Sequence, residues 1–478
     1  GLPVSLQILH LGFGYGEGIS DEGFVALSNS LPKTLEEIML GFNGCKLLGD
    51  PSMSALAKAL PAGVKVLKLG LSGCKRLTNL SLVALARGVP PSLRTLELSF
   101  WMCSEIGDMG MAFLGRSLPS LTCLDLTFHG CEEITDAGIA ALARRMPASL
   151  QTFKLNMEEC KQIGDSGLAA LGLGLPKGLL ALDVNFSDCH RIGDKGLAAL
   201  AQGFHPSLLS LQLSLSGCKK IGDSGLASLA HNLPCLQSLT ISVKACEQLG
   251  SSGFAALARG LTTSLQSLIL YLNGCRRLCD SGLAALGSGL GASLSLLDLT
   301  LEQCEQLGDQ GFSALAHRMP EKLQTLRLYV SGCPRLGDAG VAALAHSLPA
   351  EMTELCFEAS GCNALGDAGL SVLQECLPAS LRELQLDLSD TGVHDANSDF
   401  CGSCIQELRL WKAASSLASI VSVEGAELAV AAEPTSPATP SAPTEPVDAP
   451  SSSKAEGKPG GVRALSRGGK TSGLLPPA

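Results

Sequence analysis

Apolar residues between Leu208 and Leu233 follow two periods. Leu211, Leu213 and Leu215 alternate with Gln212 and Ser214, the period of two that gives a strand one buried face. Leu226, Leu229, Ala230 and Leu233 then fall at i, i+3, i+4 and i+7, the apolar stripe of a helix. This pair of periods recurs along the chain. A cysteine closes the strand half at Cys45, Cys74, Cys103, Cys131, Cys160, Cys189, Cys218, Cys246, Cys275, Cys304, Cys333 and Cys362, in steps of 28 or 29 residues. Gly16 and Thr391 extend the row by one step at either end, so the pattern predicts about fourteen strand–helix units.

Five residues after each cysteine stands Asp50, Asn79, Asp108, Asp136, Asp165, Asp194, Asp223, Ser251, Asp280, Asp309, Asp338 or Asp367. These residue types accept hydrogen bonds from the free N–H groups of a first helical turn, so each is expected to cap the helix it begins. Pro51 suits a helix start. Pro32, Pro61, Pro90, Pro119, Pro147, Pro176, Pro206, Pro234, Pro320, Pro349 and Pro378 stand where helices stop. One unit cannot bury its own apolar face, so neighbours must stack into a common core. The expected fold is an α/β solenoid, with a parallel β-sheet on the concave face and helices on the convex face.

The pattern Leu-x-x-Leu-x-Leu…Gly-Cys-x-x-Ile-Gly-Asp-x-Gly-Leu-x-x-Leu-Ala resembles the leucine-rich-repeat family over roughly residues 4–411. It is most similar to the cysteine-containing subtype, as in the repeat region of F-box/leucine-rich proteins, and to the ribonuclease-inhibitor-like subtype. It lacks an F-box segment, and its units are longer than those of the common cysteine subtype. The resemblance implies a right-handed horseshoe and a non-catalytic protein-interaction scaffold. It also implies two narrower alternatives, the substrate-recognition subunit of an SCF-type ubiquitin ligase and a regulator of a small GTPase.

Repetition overrides the two or three globular domains that 478 residues would otherwise suggest. With aromatics at only 4%, the core must be built from Leu, Ala, Ile and Val. A formal charge of -10 argues against nucleic acid or an anionic membrane as partner. No run of apolar residues is long enough to span a bilayer, and no secretory signal is visible. The first strand pattern begins almost at Gly1 with no capping unit, so the chain is expected to be a piece of a longer protein. The cysteine row reads as a ladder of small buried residues. Many buried free thiols imply a reducing compartment, the cytoplasm or nucleus. The expectation is a monomer with no cofactor and no small-molecule substrate.

The array is expected over residues 1–411, with a degenerate terminal strand at Ile405, Leu408 and Leu410. Residues 412–478 form an Ala/Ser/Pro-rich tail with prolines at 434, 437, 440, 443 and 446, expected to be disordered with a polyproline II stretch. Cys401-Gly-Ser-Cys404 lacks the second pair that a metal site would need. Gly164-Asp165-Ser166-Gly167 mimics a protease nucleophile motif, but it is the repeated helix start. No catalytic residue and no metal ligand is expected.

The informative signal is on the strands. Counting each unit from its first strand leucine, positions 4, 6 and 8 point inward, and positions 5, 7 and 9 face the concave side. Trp101, Tyr271, Tyr329 and Trp411 occupy position 7 or 9, and Tyr15 position 10, which accounts for both tryptophans and all three tyrosines. Tyr and Trp are enriched at binding hot spots. Charged groups share this face. Trp101 is accompanied by Glu97, Asp125, His129, Lys154, Glu158 and Asp183; Tyr271 and Tyr329 are accompanied by Asp298, Glu302 and Arg327. Trp101, Asp125, His129, Lys154, Glu158, Tyr271, Asp298, Glu302, Arg327 and Tyr329 are therefore the expected partner-binding residues. Lys75-Arg76, Lys219-Lys220 and Arg276-Arg277 read as a solvated basic edge.

Overall fold

A computed structural model describes residues 2–16 and 18–392. The degenerate strand, Trp411, the Cys401–Cys404 pair and the tail lie outside the described residues, as does the boundary between array and tail.

The described residues hold one open parallel sheet of fourteen strands in sequence order. They are β1 (Ile8–Gly12), β2 (Glu37–Gly41), β3 (Val66–Gly70), β4 (Thr95–Ser99), β5 (Cys123–Thr127), β6 (Thr152–Asn156), β7 (Ala181–Asn185), β8 (Ser210–Ser214), β9 (Ser238–Ser242), β10 (Ser267–Tyr271), β11 (Leu296–Thr300), β12 (Thr325–Tyr329), β13 (Glu354–Glu358) and β14 (Glu383–Asp387). Thirteen helices alternate with them, from α1 (Asp21–Asn29) to α13 (Asp367–Cys376). Each strand meets the next in identical register, as Leu268 meets Leu297 and Leu239, so every repeat position forms its own ladder across the sheet.

Positions 4, 6 and 8 are buried, as the alternation predicts: Leu96, Leu98 and Phe100 are each 0–1% exposed. Helical residues such as Leu226 and Leu229 close the core from the other side. Strands repeat at about 4.8 Å and packed helices at about 8–10 Å. The helical layer is therefore the wider one, which turns the free face of the sheet to the inside of the curve.

Position 10 is a left-handed turn in all fourteen repeats. Seven carry glycine there, Gly44 and Gly217 among them, and seven carry other residues, including Met102, Ala245 and Gln303. The turn lets the position-10 N–H reach the position-9 carbonyl of the next repeat, as Gly44 reaches Ser72 at 2.7 Å.

The cysteine row is buried and free of disulfides among the described residues. Its thiols do more than fill space. Each donates to a position-8 carbonyl one repeat earlier, Cys74 to Phe42 at 3.2 Å and Cys218 to Phe186 at 3.2 Å. Burial pushes the Cys218 thiol up to about 12, so these groups stay protonated donors.

The expected capping needs correction. The N-cap is the residue before each aspartate, mostly a glycine with no capping side chain, and the aspartate is the first residue of its helix. Its carboxylate turns to the following repeat instead. Asp136 Oδ1 accepts the N–H groups of Gly164 and Gly167 at 2.7 and 3.0 Å, and Asp338 does the same for Gly366 and Gly369. Apart from α1, each described helix start is capped by its predecessor. Asn79, which stands in the aspartate row, is used in this way on Gly107 and Gly110.

Candidate functional site

Among the ten expected residues, the side chains at positions 5, 7 and 9 all stand on the concave face, on strands or on the residues just after them. The register makes each position a ladder, so residues far apart in sequence become neighbours one strand spacing apart. The structure sorts the ten into two separate patches. Between them, β8 and β9 present only Gln212, Ser214, Thr240 and Ser242 at positions 5 and 7.

The first patch centres on Trp101. This side chain is 44% exposed and stands edge-on to the His129 ring, with centroids 5.5 Å apart. His129 Nδ1 lies 3.4 Å from a Glu158 oxygen, and Asn185 donates to Glu158 at 3.0 Å. Trp101, His129 and Glu158 all occupy position 9, so the three side chains follow one another along the ladder. At position 5, Lys154 stands on β6 between Asp125 on β5 and Asp183 on β7. Burial raises both carboxyls and Glu97 raises Asp125 further, while the Lys154 charge lowers them. Glu97 itself is paired with Lys68 at 2.9 Å.

The second patch lies on β10–β13. Tyr271 and Tyr329 occupy position 7 two strands apart, with Thr300 between them. Lys244 sits over the Tyr271 ring, 4.9 Å from its centroid. The Tyr329 hydroxyl pairs with the Cys356 thiol, and burial together with this pairing raises it above the usual phenol range. Glu302 accepts from Asn273. Asp298 departs from expectation. Its position 5 faces the concave side, yet the residue is only 5% exposed. Desolvation raises its carboxyl, Arg327 lowers it and Glu354 raises it. Arg327 gives Nε and Nη2 to Glu354 Oε1, each at 2.7 Å. Only Nη1 approaches Asp298, at 3.8 Å from Oδ2, and Asp298 Oδ1 receives no hydrogen bond among the described residues.

Two features are missing from the expected set. Lys244 and Cys356 belong to the second patch through the position-9 and position-5 ladders, a placement that the unit numbering alone would have given. Gly12, Gly41 and Gly70 occupy position 7 in the first three strands, leaving bare backbone between His10, Met39 and Lys68. Tyr15 is 78% exposed at a left-handed turn and belongs to neither patch. No group of three or more metal-ligating side chains occurs among the described residues, and no helix there is long and apolar enough to cross a membrane.

Comparison with known proteins agrees with this architecture. Residues 117–143, 182–201, 208–230 and 322–345 match the family described as Leucine Rich repeat. With one open parallel sheet alternating with helices in every repeat, the chain is a leucine-rich-repeat protein. Similar solved structures include a chain of the yeast Rad7–Elc1 complex, at 18% identity and TM-score 0.47, covering 74% of this chain and 82% of that one. The leucine-rich repeat-containing protein LegL7 of Legionella pneumophila matches at 17% identity and TM-score 0.40, covering 64% of this chain and 96% of that one. No curated protein matches by sequence.

Proposed function

We propose that the chain is a non-catalytic interaction scaffold that holds a protein partner on its concave sheet. The observation that carries this reading is the concentration of Trp101, Tyr271 and Tyr329, with their charged neighbours, on one continuous face. These residue types anchor protein interfaces because they present large, stiff area with a polar tip. The hydrogen bonds of the repeat framework leave positions 5, 7 and 9 free to vary, so that face can be specialised without disturbing the stack.

The test compares the full chain with its Tyr271→Ala/Tyr329→Ala variant as affinity baits in lysate of the source cell, under reducing conditions. Proteins captured by the first bait and lost with the second, at equal thermal stability, support the reading. Identical capture by both overturns it. The captured set also separates the narrower readings that the family resemblance implies: ligase adaptor subunits favour the substrate-recognition arm, and a small GTPase favours the regulator.

A further inference from the structure

The geometry points to the β10–β13 stretch of the concave face as a receptor for a basic side chain, an arginine or lysine on an extended segment of a protein partner, with Asp298 as anchor and Tyr271 and Tyr329 as walls. This inference rests on the concave-face reading above and names the chemistry of the partner.

The anchor is an unsatisfied one. A buried carboxylate normally collects donors, because an oxygen taken from water and left unpaired is costly. The Asp298 side chain is only 7% exposed, and Oδ1 has no donor among the described residues. The nearest cation is already engaged, since Arg327 directs both Nε and Nη2 at Glu354. Oδ1 is itself buried, so the carboxylate must rotate toward the concave surface, where an incoming guanidinium or ammonium would supply the missing donor and the missing charge together, the strongest kind of hydrogen bond available to a carboxylate.

The surroundings select for positive charge. Strands β11–β14 and the residues just after them carry Asp298, Glu302, Glu354, Glu358, Glu383 and Asp387 on this face, against two cations, Arg327 on β12 and Lys244 just after β9. Burial raises the Glu358 carboxyl, and Asp387 and Glu302 raise it further. The tyrosines suit a cation as well, because an aromatic face attracts one. Tyr271 already shows this contact with Lys244, at 4.9 Å.

The span favours a chain segment over a single ion. Four strands cover about 14 Å at the usual spacing. An extended peptide covers that distance in about four residues, so basic side chains on such a segment can face the acidic ladders in succession.

The test uses the full chain and two fluorescein-labelled nonapeptides, one with three arginines on a glycine–serine background and its glutamate counterpart, read by fluorescence anisotropy. The arginine peptide binds and the glutamate peptide does not. Asp298→Asn weakens arginine-peptide binding by about tenfold, the order expected for one charge-assisted contact. The exposed, charge-matched Glu351→Gln control changes it by less than about twofold. Asp298→Asn also raises Tm, because it removes an uncompensated buried carboxylate. A Glu302→Gln/Glu358→Gln variant keeps the anchor and weakens the peptide through the rim, which serves as the test if Asp298→Asn fails to fold. Failure of the arginine peptide to bind, or unchanged affinity in Asp298→Asn or, where that variant does not fold, in Glu302→Gln/Glu358→Gln, overturns the proposal. Lysate capture that survives Asp298→Asn but not Tyr271→Ala/Tyr329→Ala removes the cation anchor and leaves the concave-face reading standing. Capture that survives both removes that reading too.

Discussion

Asp136 Oδ1 accepts the backbone N–H of Gly167 at 3.0 Å, across the boundary between two repeats. The same oxygen takes the Gly164 N–H at 2.7 Å. A carboxylate at the first position of one helix thus satisfies two free donors of the next. Capping and stacking become one interaction, so a repeat separated from its predecessor would lose both.

Asp136→Ala is expected to destabilise the array by about 1 kcal/mol, the usual cost of a lost cap. Asp136→Asn should cost much less, because Asn79 already makes the same two hydrogen bonds elsewhere in the stack. Gly167→Ala should cost more than Asp136→Asn, since a Cβ there would stand 2.6 Å from the Asp136 oxygen. Urea denaturation followed by circular dichroism gives the ranking. An Asn variant as damaged as the Ala variant would mean that the charge, and not the acceptor, matters.

Ala245→Gly is expected to stabilise the protein by about 1 kcal/mol. Ala245 has φ of 56° at a turn where seven other repeats place glycine, and a Cβ is penalised by about 1–2 kcal/mol in the left-handed region. The gain outweighs the greater freedom that glycine brings to the unfolded chain. A fall in the urea midpoint would show that packing around the Ala245 methyl dominates.

Iodoacetamide should discriminate sharply among the cysteines of the native protein at pH 8. Cys235 is exposed and should label early. Cys279 should also label, because hydrogen bonds from Ser251 and Ser281 lower its thiol below the usual range. Cys74, pushed up to about 11 by burial, and Cys218, at about 12, should stay unmodified until denaturant is added. Peptide-resolved mass spectrometry reads the order. Early labelling of the row would contradict its burial.

The Tm difference between Asp298→Asn and the parent should depend on pH. The Asp298 carboxyl is raised in the folded state, so the folded form holds its proton to higher pH than the unfolded chain does. The stability linked to that proton is full below the ordinary carboxylate range and is lost as pH rises through the raised value. The variant's advantage should therefore be greatest at neutral pH and shrink on acidification. Arg327, Glu354, Tyr271, Tyr329 and Cys356 are the titratable neighbours whose charges act on this group or feel it. A difference that is flat from pH 7 to pH 4 would mean that the Asp298 carboxyl is not raised in the folded protein.

Much of this protein is legible one repeat at a time. The alternation of Leu211, Leu213 and Leu215 predicts a half-buried strand, and the 28- or 29-residue period predicts the stack. Position numbering then places Trp101, Tyr271 and Tyr329 on a common face. A helix-start aspartate reads as the cap of its own helix, because a donor 28 residues away is remote in sequence and becomes adjacent only after stacking.

The repeating unit and the buried side of each strand both follow from the periodicity of apolar residues within one unit. Where the polar groups go is set only when the repeats stack. Asp136 turns to Gly164 and Gly167, Cys218 donates a hydrogen bond to the Phe186 carbonyl, and Arg327 binds Glu354 in preference to Asp298. Each choice is a competition between partners on neighbouring repeats. The register between repeats settles that competition, and the order of residues in one unit does not contain it.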